Sequence, residues 1–266
     1  MSPNESRRKR PRTVKRFWEL VLYNVVTGFK ADARNYALGN LWWVAEPALH
    51  LLILFFMLRH VFGGGDGQFA PFLFCGIVPW IWFSKSIFSG TASIFENRHI
   101  IRDTRVNKLV FPTITVLRDL IRELPVLLIL MTVLPFMGIA ATPHWLQLPL
   151  VVALQIALIA GIVYCAAMIM PYLPDVKYII ATGLQLLMFA SGTFYDYKAM
   201  SASFQSVFLL NPVAVLINLY RDALMYQKLI NPMDALYVAA FAAGFALLAA
   251  MLRRKLDADL PTVLYR

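Results

Sequence analysis

Six windows of this chain, at residues 41–62, 69–94, 124–141, 146–170, 178–194 and 233–252, are apolar over about the 20 residues that a helix needs to cross a bilayer. The fifth is the shortest. With 59% apolar residues, against about 45–50% in soluble domains, the chain reads as an all-α integral membrane protein of six spans. One more stretch, 207–224, is only half apolar and contains Asn211, Pro212, Asn218, Arg221 and Asp222. It is too polar to face lipid and fits a re-entrant or interfacial helix between spans five and six.

Charge orients the spans. Most of the 25 Lys and Arg fall in the N-terminal 41 residues, between spans two and three, or after span six. Arg59, Lys198, Arg221 and Lys228 fall on or near the other side, and Lys85 lies within a span. The bias of basic residues to cytoplasmic loops places both termini in the cytoplasm. The net charge of +10 is then mostly topology, and membrane phosphate rather than nucleic acid is the expected neighbour of the basic N-terminus. That start lacks a clean apolar core and a small-residue cleavage site, so the first span is expected to be retained. Cys75 and Cys165 fall at different depths and read as small core residues, not as a disulfide or metal pair.

The chain divides into a basic, disordered N-terminus (1–16), a cytoplasmic interfacial helix (17–40), a transmembrane domain (41–252) and a cytoplasmic tail (253–266). Within the second part, Phe17, Leu20, Val21, Val25 and Phe29 recur near a 3.6 period, which suits a helix lying on the inner membrane surface. A cytoplasmic extension of the first span is the alternative. The glycines of residues 63–67 form a connecting loop and no phosphate cradle, because the chain has no Gly-Lys dipeptide. Any nucleotide that energises transport must therefore be bound by another polypeptide. Between spans two and three, NRHIIRDTRVNKLVFP mixes basic residues with Ile100, Ile101, Val106, Leu109 and Val110. Such a segment suits a short helix docking on a cytoplasmic partner, or a loop holding anionic lipid.

Ionisable groups in the spans need a reason, since each costs a few kcal/mol on insertion scales. Glu46 lies about 6 Å inside span one and His50 about 12 Å, with Pro47 between them, while Lys85 lies at a depth similar to His50 in span two. A buried ammonium requires a partner or a wet cavity, and Glu46, His50 and Lys85 are expected to form one polar cluster. A snorkelling carboxylate is the bland alternative for Glu46. No catalytic constellation or metal-ligand spacing is present among the four scattered histidines.

Four blocks recur in order: LGNLWWVAEPALHLLIL (38–54), FLFCGIVPWIWFSKSIFSGTASIFEN (72–97), Phe111-Pro112 and LLNPVAVLINLYRDAL (209–224). With the topology they resemble the permease subunits of ABC-2 type exporters of cell-surface polysaccharide, meaning capsular polysaccharide and O-antigen, with teichoic-acid exporters as relatives. The resemblance covers about residues 17–252. It implies a six-span permease in the inner membrane that homodimerises and joins two copies of a separate ATPase. That partner would bind ATP and Mg, leaving this chain without cofactor or enzymatic activity of its own. It also implies a coupling helix that includes Glu96, Asn97, Arg98, Arg102 and Asp103, and outer gate helices that include Asn211, Pro212 and Arg221. Spans one and five would flank the path by which a lipid-linked polysaccharide enters. Where relatives carry an Arg-Asp pair after span four, this chain has Pro174-Asp175. A sugar polymer offers C–H faces to aromatic rings, so Trp42, Trp80, Trp82, Phe83 and Tyr195 are candidate glycan contacts, against interfacial belts or core packing. The alternatives are an ABC-2 exporter of teichoic acid, a drug or a lipid, and a membrane glycosyltransferase or polymerase. For the last, the one Asp-x-Asp pattern is Asp257-Ala258-Asp259, in the short tail.

Overall fold

The computed structural model describes residues 14–35, 68–104 and 106–256, with isolated positions between 45 and 56. Every regular element among them is helical. In chain order they are α1 (Val14–Asn35), α2 (Phe69–Glu96), α3 (Arg98–Asp103), α4 (Val110–Phe136), α5 (Leu148–Ile169), α6 (Val176–Ala190), α7 (Ala202–Phe208), α8 (Pro212–Leu224) and α9 (Pro232–Leu256). Single 3-10 turns at Pro143–Gln147 and Tyr197–Ala199 precede α5 and α7.

Three described helices are long and apolar enough to cross a membrane: Phe69–Glu96, Pro143–Ile169 and Pro232–Leu256. They correspond to the second, fourth and sixth windows. The first window lies almost wholly outside the described residues. The third behaves differently from its hydropathy. Its apolar run reaches residue 141, but α4 stops at Phe136, and Gly138 then turns the chain with a φ of +89°. The 13 residues from Leu124 to Phe136 therefore continue directly from a turn holding Asp119, Arg122 and Glu123. The fifth window becomes α6, whose 15 residues reach about 22 Å, short of the roughly 30 Å hydrocarbon layer.

Helix α5 forms the centre, and Val151, Leu158, Ile159, Val163 and Ala167 on it are fully buried. Neighbouring helices approach it at glycines. A Cβ on Gly161 would stand 2.8 Å from Phe245 Cβ, and one on Gly90 would stand 2.5 Å from Val163 Cγ1. Small residues at such crossings let backbones close in where no hydrophobic force separates protein from lipid tails. Gln155 is buried in this packing, and its amide donates to the Pro79 carbonyl at 2.9 Å. Helix α9 buries only Val238, Ala242 and Ala249, while Leu236, Leu247 and Met251 stay exposed, as befits a helix with a lipid face.

The periodic stripe of α1 has a definite partner. Val21 and Val25 are buried against Val110, with Phe17, Leu20, Phe29, Ile114 and Leu117 packed around them. Arg118 of α4 reaches across and donates to the Asn24 carbonyl at 3.1 Å. Thus the apolar face covers the first turns of α4, and the opposite side still exposes Trp18, Leu22, Tyr23 and Val26.

Candidate functional site

Helix α8, the start of α2 and the turn that follows α6 build a corner around Arg221. Asn211 precedes α8, where its Oδ1 accepts from the Val213 N–H at 2.9 Å, and Pro212 takes the first helical position. The Asn211 amide donates to the Ala190 carbonyl at 3.1 Å and to Ser191 Oγ at 3.0 Å, tying the start of α8 to the end of α6. Further along α8, Arg221 is 1% exposed. Its guanidinium donates to Gly192 O (2.8 Å), Thr193 O (3.1 Å) and Phe72 O (3.3 Å), and it lies 3.5 Å from the Phe72 ring centroid. Gly76 makes room for it, since a Cβ there would stand 2.6 Å from the guanidinium nitrogen. Burial lowers Arg221 to about 10, so it remains charged at neutral pH. Asn211, Pro212 and Arg221, grouped in the sequence as one half-apolar stretch, stand together on α8 and its cap.

Around this corner the Lys198 and Lys228 ammonium groups both stand over the Tyr226 ring, at 5.0 and 5.7 Å from its centroid. Burial raises the Asp222 carboxyl above the usual carboxylate range, and the same two lysines offset only part of the rise. Tyr195 donates to the Phe189 carbonyl at 2.6 Å and packs against Phe208, which also stacks on Tyr197.

At the other end of α2, Asn97 interrupts the helix with φ −96° and ψ 20°. Asn97 donates to the Ser93 carbonyl at 2.8 Å and its own carbonyl receives the Ile100 and Ile101 N–H groups. Helix α3 therefore starts one residue after α2 ends. Ile101 is buried with Ile94, Phe111, Ala167 and Met168, whereas Glu96, Arg98 and Ile100 are exposed. Arg102 and Asp103 complete α3. The structure thus makes α3 a short helix anchored by Ile101, with Arg98, His99 and Ile100 exposed.

Two carboxylates within electrostatic reach of Lys85 were missed by sequence reading. Lys85 lies on an exposed face of α2, and its ammonium acts on two carboxylates of α4, Asp119 and Glu123. Both are only 8% exposed. Ser89 donates to Asp119 Oδ2 at 3.1 Å, and Arg122 stands 3.7 Å from Asp119 Oδ1. The available signal was the i,i+4 spacing of the two acids in RDLIRE, just ahead of an apolar run. Glu46, His50 and Trp42 lie outside the described residues. Of the other aromatic candidates, Trp80, Trp82 and Phe83 are buried in the core, where packing is the role that their positions support. Among the described residues no group of His, Cys, Asp or Glu is arranged to hold a metal ion.

The chain is similar to known membrane transport proteins. The ABC-2 type transporter family matches residues 19–225, which run from α1 through α8. The chain is 29% identical to the O-antigen export system permease protein RfbA of Myxococcus xanthus, over 87% of this chain and 89% of that protein. A protein of the same name from Klebsiella pneumoniae is 24% identical over 74% of this chain and 76% of its own length. The polysialic acid transport protein KpsM of Escherichia coli is 25% identical over 78% and 81%.

Proposed function

The chain belongs to the ABC-2 type transporter family, and on that premise we propose that it is the permease of an ATP-driven exporter of lipid-linked cell-surface polysaccharide. It acts in the inner membrane as a homodimer with both termini in the cytoplasm. Two copies of a separate ATPase bind ATP and Mg and drive it. Relatives named for O-antigen export and polysialic acid transport support the substrate class, and their matches extend over most of each chain.

The observation that carries the mechanism is the continuity of α2. One end turns at Asn97 into α3, and the other holds Arg221 of α8 through the Phe72 carbonyl. Those two points are 25 residues apart, or about 38 Å along a helix. Closure of the ATPases presses on α3, and α2 carries that displacement to the corner at Arg221 and Asn211, which opens the outer gate. Pro79 leaves one backbone acceptor of α2 without its helical donor, which gives the lever a place to bend. Binding alone supplies no direction, so hydrolysis in the partner must complete each cycle. The polymer enters beside spans one and five.

The test is to purify the chain with its natural associates and to analyse the glycolipids of cells that lack it. Copurification of an ATPase together with glycolipid retained on the cytoplasmic face is the expected result. Retention of a different lipid or drug instead would favour another ABC-2 substrate, and sugar transfer by the purified chain alone would replace transport with synthesis. No ATPase and no retained glycan would overturn the proposal.

A further inference from the structure

A groove of about 450 Å³ opens between the first turns of α5 and α9. Leu150 and Leu154 line it from α5, and Ala235, Leu236 and Ala239 from α9, with Gln147 at one end. The short side chains of Ala235 and Ala239 leave the space that larger residues would fill. Further along, the two helices close up. A Cβ on Gly161 would stand 2.8 Å from Phe245 Cβ and 3.2 Å from the Ala242 carbonyl oxygen. The groove therefore starts where both helices start and narrows to the contact at Gly161.

Both walls belong to helices long and apolar enough to cross a membrane, so the open side of the groove faces the bilayer. Leu150 and Leu236 are exposed at its rim. Gln147 is the one polar side chain among the described lining residues, and it is engaged inside the protein. Its amide nitrogen donates to the His144 and Lys228 carbonyls, both at 3.2 Å, and its oxygen accepts the Ile230 N–H at 2.8 Å. A sugar or a headgroup placed in the groove would lose its bonds to water and gain few in return, which is costly. Hydrocarbon loses nothing there. The lining runs over residues 147–154 and 232–239, about 10 Å of each helix. Spread over that length, 450 Å³ leaves a cross-section of about 45 Å², against roughly 80–110 Å² for a helix 10–12 Å across. The groove is thus too slender for a second helix and suits a single chain lying along α5 and α9.

We propose that the groove between α5 and α9 holds one acyl chain of a bilayer phospholipid, with the headgroup at the Gln147 end and the tail directed toward Gly161. The bonds of Gln147 to Lys228 and Ile230 fasten the segment after α8 to the start of α5. A chain in the groove packs on that clasp and braces the segment that leaves the Arg221 helix. The consequence for gating rests on the proposed function, but the existence of the site does not.

Photolabelling of the purified protein in phosphatidylethanolamine nanodiscs tests this, with a fraction of the lipid carrying a diazirine in one acyl chain and adducts located by peptide mass spectrometry. Adducts on Leu150, Leu154 and Leu236 should be severalfold more frequent than those on Leu128 of α4 and Phe241 of α9, which are exposed outside the groove. Ala239→Trp fills the groove and should bring the three leucines down to the level of those controls. Equal labelling of groove and controls in the wild type would overturn the site even if the variant does not fold, whether protein fills the groove or lipid merely passes over it. Undiminished labelling in folded Ala239→Trp would overturn it as well. Displacement of the label by a prenyl phosphate but not by unlabelled phosphatidylethanolamine would overturn the phospholipid as the occupant. The readout involves no transport, so failure here and failure of the export reading are separable.

Discussion

Replacing Arg221 by methionine probes the corner on which the proposed gate depends. Methionine fills similar apolar volume but removes every donor. The Gly192 and Thr193 carbonyls, in the turn after α6, would lose the bonds that Arg221 supplies. Each buried carbonyl left unsatisfied costs about 1–3 kcal/mol. Phe72 O keeps its helical role and loses only a supplementary bond. The ring contact at 3.5 Å adds about 1–2 kcal/mol for a desolvated cation. Against these stands the burial of a charge, which the variant no longer incurs and which offsets part of the loss. A net destabilisation of about 3 kcal/mol follows, or roughly 6–12 °C in apparent Tm at about 2–4 °C per kcal/mol. The assay is thermal denaturation in detergent, read as the fraction that remains monodisperse. Arg253→Met, at an exposed position in the last turn of α9, is the control and should leave Tm unchanged. Arg221→Lys should recover less than half of the loss, because an ammonium cannot present the planar fork that reaches several carbonyls. If Arg221→Met melts within about 1 °C of the wild type, the corner is not held by this side chain and the reasoning fails.

Other perturbations separate the remaining elements. Asn211→Ala removes the cap of α8 and its tie to α6, so a loss of about 1–2 kcal/mol in the same melting assay is expected, with Asn211→Asp retaining the cap half of it. Gly28→Val takes the space of the Arg118 guanidinium, which must swing off the Asn24 carbonyl, while the apolar stripe of α1 stays on α4. An undiminished disulfide cross-link between Cys substitutions at Val21 and Val110 measures this, and loss of the cross-link would refute it. Lys85→Met should lower membrane abundance or export by withdrawing positive charge from Asp119 and Glu123, and Glu123→Gln in the same chain should restore part of the loss. Wild-type abundance and export in Lys85→Met alone would remove that role.

The polar cluster illustrates how far the sequence reaches. Depth along a span is a count of residues at a known rise, so Lys85 could be placed within the membrane and a partner at similar depth demanded. Which helix supplies the partner depends on how α2 and α4 are rotated about their axes, and no local pattern encodes that. The acids Asp119 and Glu123 stand 34 and 38 residues beyond Lys85 and come within its electrostatic reach only through antiparallel register. Asn211 and Arg221 were legible as polar residues, and Pro212 as a helix start, in a half-apolar segment. The acceptors of Arg221 were not, because they are backbone carbonyls, and carbonyls leave no trace in composition.

What the amino-acid sequence determined by itself is the solvent of each segment. Transfer free energy sums along the chain, so apolar windows, the spread of basic residues and the amphipathic period of α1 are local quantities that need no partner to be read. Only the tertiary structure decided what those faces meet. The stripe Phe17, Leu20, Val21, Val25 and Phe29 covers the start of α4. The third apolar window is cut short at Phe136, and α5 is drawn against its neighbours at Gly90 and Gly161. In lipid the hydrophobic effect does not choose between a protein neighbour and an acyl chain. Close packing and buried hydrogen bonds make that choice, and both are properties of three dimensions.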